Sequence, residues 1–308
     1  MKVLSIGEVL WDVFEDNEFL GGAPLNVCAN LHRCGDEAML VSAVGEDQRG
    51  HSALAAMNAF GLSTRFMQTA VGRPTGIATV VKNAEGEPVF TIERPAAFDS
   101  IKLSPEIIKK IETFMPDWLY MGTLLQTEPA IEKLVYELIG QLPQVRCFYD
   151  MNLRIGQWNL SLVERLCQSA SVLKLNEIEA ETLATLTGVT REEFILESFC
   201  ESWALRFGID VICVTLGPDG CCVYAEGKTE RFRGHSIKVS DTIGAGDAFA
   251  AAFLHGYHRG WPIQKCAGFA NSLGALVASR PGATPVWRME ECHALSSSSP
   301  ENFYREVD

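Results

Sequence analysis

The sequence predicts an α/β fold, with a mainly parallel sheet sandwiched by helices and a small β-sheet lid. Three observations carry this. Short apolar runs recur through the middle and end of the chain, separated by helical segments, the pattern of right-handed βαβ units. Two early β-rich pieces, about residues 10–25 and 74–100, break the alternation and are placed together as a small sheet over one edge. No apolar run reaches the roughly 18 residues that span a bilayer. No internal repeat divides the 308 residues, so residues 1–308 are expected to form one domain with the lid inserted in it.

In chain order, Lys2–Ile6 is a short apolar strand, and Glu18–Leu20 leads into Gly21-Gly22. Leu25–Cys34 reads as a helix, with Leu25, Cys28, Ala29 and Leu31 on one face. Ala38–Val44 is strand-like, and Gln48–Phe60 is a helix stopped by Gly61. Thr75–Val81 and Pro88–Glu93 are joined by the turn Asn83-Ala-Glu-Gly86, a hairpin pattern. Leu103–Phe114 is helical. Trp118–Met121, Gln144–Asp150, Val172–Leu175 and Asp210–Leu216 read as buried strands. Cys221–Ala225 and Glu230–Val239 resemble a second hairpin, Asp247–Arg259 and Ile263–Ser279 are helices, and the polar tail 296–308 is expected to be loosely held.

Composition narrows the functions. The chain is 47% apolar and 21% charged, ordinary for a soluble protein. Its net charge of −13 argues against nucleic acid or an anionic membrane as partner. An anionic ligand would therefore need locally concentrated N–H groups and basic side chains. Glu8 and Asp12 follow the first apolar run too soon for a signal peptide. Ten cysteines without a Cys-x-x-Cys pair read as buried reduced thiols of a cytoplasmic protein. His255 and His258 are three apart on a helix without a third ligand nearby, so they read as packing or surface residues.

The richest stretch is Asp241-Thr-Ile-Gly-Ala-Gly-Asp-Ala-Phe249. Gly244, Ala245 and Gly246 permit a tight turn, and a helix follows. Unpaired N–H groups at the positive end of a helix bind anions, phosphate above all. Asp247 would repel a phosphate that was merely bound; it fits a carboxylate facing a hydroxyl that attacks the phosphate. The bland alternative is a charge stabilising the helix N-terminus. Two other patterns fail. Gly227-Lys228-Thr229 lacks the first P-loop glycine, since Cys222 holds that place, and a strand-like segment follows. Gly244-Ala-Gly246 lacks the third glycine of a dinucleotide fingerprint, since Phe249 stands there, which disfavours a nicotinamide dehydrogenase.

Other segments keep Asp247 company. Thr215-Leu-Gly-Pro-Asp-Gly220 closes an apolar strand with a turn whose backbone suits a phosphate. Asn176-Glu177-Ile-Glu179 offers an amide and a carboxylate for the waters of Mg2+. Gly21-Gly-Ala-Pro-Leu-Asn26 sets close backbone before a helix. Each alone is also a plain turn or helix start.

Taken together and in order, these motifs resemble the ribokinase-like (PfkB) carbohydrate kinases over nearly the whole chain. The first signature of that family resembles Gly21–Asn26 through Val44-Gly-Glu-Asp-Gln-Arg-Gly50, and the second resembles Asp241–Phe249. Asp150-Met-Asn-Leu-Arg154 is similar to Asp-Pro-Asn-x-Arg with Met151 in place of proline, and Asn176–Glu179 matches Asn-x-x-Glu. The resemblance implies Asp247 as catalytic base and Gly244, Ala245 and Gly246 as the anion hole. It implies Asp12, Gly22, Asn26 and Arg154 as sugar contacts. Asn176, Thr215, Gly217, Gly220 and Asn271 would serve ATP, Glu179 would serve Mg2+, and Asp241 and the Ile243 carbonyl would belong to a K+ site. Glu93 and Arg94, in the lid segment Thr91–Phe98, are further candidates for sugar hydroxyls or a carboxylate.

The Gly-Gly-Ala-Pro form and Ile6-Gly-Glu8 are most similar to fructokinases, which implies ATP-dependent phosphorylation of a free sugar, fructose first. Ribose, 2-keto-3-deoxygluconate and nucleosides stay open, as does a non-catalytic sugar or nucleotide sensor on the same fold. A sugar phosphate is disfavoured, because no Lys/Arg cluster lies in the early lid pieces. The open edges of a small lid would be covered by pairing two lids in a homodimer.

Overall fold

Apolar runs that read as interior strands do become strands, and the order in which they pair sets where polar residues emerge. The computed structural model describes residues 1–82 and 88–297. It divides into two units, Met1–Val145 and Arg146–Asp308.

In the first unit, in chain order, are β1 (Lys2–Ile6), β2 (Leu10–Val13), β3 (Glu18–Gly21), α1 (Ala23–Arg33), β4 (Glu37–Gly45) and α2 (Gln48–Ala59). Then come β5 (Met67–Ala70), β6 (Gly76–Lys82), β7 (Pro88–Ile92), α3 (Pro105–Phe114), β8 (Trp118–Gly122) and α4 (Pro129–Gln141). β1 pairs in parallel with β4 and with β8, and β5 joins β4 in parallel. Val3, Leu4, Ser5 and Ile6 are all buried, as a parallel strand covered on both faces requires. A second sheet has the order β3-β2-β6-β7. It joins the two early β-rich pieces as expected, with Asp12 opposite Phe19 and Ala78 and Ala78 opposite Ile92. The expected turn at 83–86 lies outside the described residues.

Asp47 explains the middle of the first signature. It caps α2 by accepting from Gly50 N (2.7 Å), and it also accepts from Thr75 N (2.7 Å) and Thr75 Oγ1 (2.6 Å). Burial pushes this carboxyl up, but the Thr75 and Gly50 hydrogen bonds outweigh it, so Asp47 sits below its ordinary value. The cap thus also fixes where β6 starts.

The second unit contains β9 (Arg146–Asp150), α5 (Leu160–Cys167), β10 (Val172–Asn176), α6 (Glu177–Leu186), α7 (Leu196–Phe207) and β11 (Val211–Thr215). β12 (Cys221–Ala225), β13 (Lys228–Phe232), α8 (Ala245–His258), α9 (Ile263–Ala278) and α10 (Met289–Ser297) complete it. β9, β10 and β11 are parallel neighbours, and β12 and β13 extend the sheet antiparallel. The α/β class is therefore as expected: parallel strands alternating with helices, plus a small second sheet.

Two expectations need correction, and two elements were not expected at all. The last strand is Lys228–Phe232, not 230–239. Its ladder ends at Cys221↔Phe232, and beyond it backbones touch: a Cβ on Gly220 would lie 2.1 Å from Phe232 O, and one on Gly234 2.2 Å from Pro218 O. The helix after the glycine turn starts at Ala245, two residues early, because Gly244 at φ 78° is its N-cap. β5 and α10 went unread.

α10 is held by polar contacts. Ser296 Oγ lies 2.7 Å from Ser272 Oγ on α9, and His235 Nε2 lies 2.9 Å from the same hydroxyl. Burial holds the His235 imidazole below its ordinary value of 6.5. A base harder to protonate when folded stabilises the fold fully above the unfolded value. That contribution falls as pH drops below it and is gone below the folded value. The melting temperature of the wild type should therefore fall more steeply than that of His235→Gln between about pH 7 and 5; parallel curves would contradict this.

All described cysteines are free thiols, and only Cys34 is not fully buried. His255 sits in an aromatic cluster, its ring 5.5 Å from Trp261 and 5.8 Å from Phe269. No described helix is long and apolar enough to cross a membrane.

Candidate active site

In the second unit the parallel strands end on a row of polar residues, where open α/β sheets bind ligands. Register places Asp150 opposite Lys174 and Asn176 opposite Thr215. Gly244 caps α8 in a left-handed conformation, and a Cβ there would lie 2.3 Å from Ala283 O, so only glycine fits. Ala245 and Gly246 are the first two residues of the helix, and Asp247 sits in the first turn, buried at 9% exposure. Such a turn presents amides without intrahelical partners. Of the three residues expected to form the anion hole, Ala245 already donates a long bond to Thr242 O (3.3 Å).

Lys174 went unread in the sequence. Its Nζ lies 3.0 and 3.3 Å from the Asp150 carboxylate oxygens, and 3.1 Å from where a Gly246 Cβ would stand. An ammonium group thus sits against the N-terminal turn of α8. Burial pulls this lysine down, but the charges of Asp150, Asp247 and Glu179, with the Asp150 hydrogen bonds, more than reverse it and hold it above 10.5. Glu179 moves up, because its own burial outweighs Lys174 and two main-chain amides. Three carboxylates around one buried lysine are costly to keep, a mark of a functional site.

Glu179 Oε1 accepts from Leu153 N (2.6 Å) and Oε2 from Asn176 N (2.8 Å), while Asn176 Oδ1 accepts from Glu179 N (2.9 Å). The pair is a capping box. No group of three His, Cys, Asp or Glu among the described residues forms a metal cage. This donor set suits an ion that keeps its waters and is carried on phosphates, as Mg2+ is. Asp241 accepts from Ile243 N (3.0 Å) and Gly282 N (3.2 Å), drawing those two loops together.

The remaining nucleotide candidates divide. Gly217 is exposed at φ 58° with open space where a Cβ would be, so a ligand can approach its backbone. Gly220 is buried, and the β13 contact requires it to be glycine. Thr215 Oγ1 makes only a 3.5 Å bond to Leu175 O. Asn271 is buried and donates to Phe232 O and Arg233 O, both at 3.2 Å, pinning the end of β13. Arg154, expected as a sugar contact, is half-buried, just past Asn152 with φ 43°.

In the first unit, Asp12, Gly22 and Asn26 come together where β2, β3 and α1 meet. Asp12 is buried; a Cβ on Gly21 would lie 2.4 Å from its Oδ2, and Gly22, at φ 112°, would strike Glu8 O. Asn26 is buried in the early turns of α1. Glu93 and Arg94 are elsewhere, lining a cavity of about 450 Å³ with Asp47, Arg49, Thr75 and Ile77. Asp12, Gly22 and Asn26 do not line that cavity.

The pattern of the pfkB family carbohydrate kinases matches residues 4–289. The chain belongs to the PfkB family. It is a carbohydrate kinase. It is 25% identical over 313 residues to probable fructokinase-5 of Arabidopsis thaliana, covering 92% of this chain and 93% of the relative. A fructokinase of Xylella fastidiosa with bound ATP shares the fold with a TM-score of 0.84 at 21% identity, covering 97% of this chain and 99% of that one. A Vibrio cholerae fructokinase double mutant, in a form with bound fructose, ADP and potassium ion, has a TM-score of 0.80 at 21% identity, covering 96% and 97%. One departure from the PfkB pattern has a local reason: Met151 is buried and its N–H donates to Lys174 O (2.8 Å). A proline there would lack the donor.

Proposed function

We propose that this PfkB kinase transfers the γ-phosphoryl group of ATP to a hydroxyl of a free sugar, fructose first, with the whole chain acting as one catalytic domain and the small sheet as its lid. The observation that carries the reading is Asp247 in the first turn of α8, with the Lys174 ammonium against the same turn. Phosphoryl transfer has a loose transition state, so positioning and charge neutralisation supply most of the catalysis. The amides of the α8 turn receive the migrating group, Lys174 offsets its charge, and Asp247 takes the hydroxyl proton late. A weakly basic carboxylate suffices when the hydroxyl proton leaves late in the transition state. Mg2+ would bind through ATP phosphates and waters held by Glu179 and Asn176, and would supply further charge neutralisation. Thr215 and Gly217 line the nucleotide side, and Asp12, Gly22 and Asn26 hold sugar hydroxyls. Asp241 and the Ile243 carbonyl belong to a K+ site.

Fructose stands first because the Arabidopsis relative is called a probable fructokinase and the Gly21-Gly-Ala-Pro24 sequence has the fructokinase form. The test is ADP release with fructose, ribose, ketodeoxygluconate, adenosine and inositol, each with and without Mg2+ and K+. The expected result is highest kcat/KM for fructose and no turnover without Mg2+. A preference for another acceptor would overturn the fructose assignment, and tight sugar binding without ADP would favour a sensor.

A further inference from the structure

We propose that Arg94 is a positioning residue, a latch that fixes where the small sheet rejoins the strand layer of the first unit. Arg94 stands two residues beyond the end of β7. Its guanidinium reaches two separate segments. Nε and Nη2 donate to the Asp99 carboxylate (3.2 and 2.5 Å), and Nη1 donates to Leu124 O (3.0 Å) and to Thr127 Oγ1. Leu124–Thr127 is the 3-10 turn directly after β8, so one planar cation ties the exit of β7 to the carboxyl end of a parallel strand. A bidentate carboxylate partner and a carbonyl suit arginine's fixed fork and not a lysine.

The far side of this junction is anchored as well. Asp99 Oδ2 also accepts from Ala96 N (2.9 Å), and Ala97 N donates to Pro74 O (2.8 Å) just before β6. Phe98 is fully buried, and a Cβ on Gly76 would lie 2.7 Å from its ring. The Arg94 side chain is only 19% exposed and that of Asp99 only 8%, so water competes little for the pair. Segment 94–100 is therefore a fixed strap, and Arg94 is its buckle. Both Glu93 and Arg94 line the cavity, but Glu93 is exposed, whereas the Arg94 donors are engaged by the strap and the β8 turn.

This inference rests on reading the small sheet as the lid of a sugar kinase. Hinge residues commonly move kcat and KM together. In Arg94→Gln the sugar KM should rise about tenfold and kcat fall several-fold with KM for ATP unchanged, and Asp99→Asn should reproduce this. Arg94→Lys should recover little, because it cannot span both partners. Hydrogen exchange supplies the second readout: amides of β2, β3 and β6 should exchange faster in each variant, while those of β1 and β4 keep their wild-type rates.

A raised sugar KM in Arg94→Gln, with exchange unchanged and Asp99→Asn normal, would overturn the latch and make Arg94 a direct sugar ligand. Unchanged exchange and kinetics in all three variants would overturn it too. If Arg94→Gln does not fold, Asp99→Asn and Arg94→Lys carry the same comparison. Should the wild-type chain phosphorylate no sugar, the kinase reading fails while the exchange data still decide the latch.

Discussion

Asp247→Ala should lower kcat by about 10²-fold or more, the usual scale for losing a general base, with KM for ATP changed only a few-fold. The alternative role, a negative charge at the N-terminus of α8, predicts a different result: a stability loss of about 0.3–1 kcal/mol and near-normal turnover. Asp247→Asn separates them. It keeps the size and polarity of the side chain but cannot accept the hydroxyl proton, so catalysis should fall about as far as in the alanine variant. ADP release and a thermal melt on the same preparations measure both quantities. Turnover within a few-fold of wild type in both variants would remove Asp247 from the chemistry.

Lys174→Met should be the most damaging single change to the fold of the second unit as well as to activity. Breaking a buried pair from one side costs about 3–5 kcal/mol, because the partner charge is left uncompensated. Here Asp150 is bonded to the ammonium and Asp247 and Glu179 feel its charge. Loss of one preorganised positive group at a transferring phosphoryl is worth about 10²–10³-fold in kcat. The two effects are separable: Lys174→Met combined with Asp150→Asn removes the stranded charge, so stability should recover in part while turnover stays low. If turnover recovers along with stability, Lys174 is only structural. The sign of the pH effect is fixed too. A lysine held above 10.5 contributes stability that is complete below that value and is lost as pH rises through the folded value. The melting curves of wild type and variant should therefore converge only at high alkaline pH.

Much of the strand framework was legible because buried parallel strands are nearly pure apolar runs, as in Val211-Ile-Cys-Val-Thr215. β5 was not, since Met67-Gln-Thr-Ala70 is short and only its last residue is buried. The start of α8 was misplaced because glycine and alanine read as turn, whereas the left-handed Gly244 lets the helix begin at once. Asp247 and its glycines stood out by spacing alone. Lys174 did not: one basic residue inside Val172-Leu-Lys-Leu-Asn176 acquires meaning only when the β9–β10 register sets it against Asp150, and register is a tertiary fact. For Arg94, sequence shows a charged residue near a hairpin, which offers a sugar contact, but it does not show the bond to the Leu124 carbonyl 30 positions away on which the latch proposal rests.

The nine buried thiols bear on how the enzyme can be handled at the bench. Burial pushes Cys28 and Cys147 up to about 12, so neither offers appreciable thiolate to oxidants while the native structure holds. Unfolding removes that protection, and where the freed thiols oxidise or mispair, unfolding becomes irreversible. Comparing variants by equilibrium free energy therefore calls for a reducing buffer throughout, so that a melt does not report the rate of thiol oxidation instead.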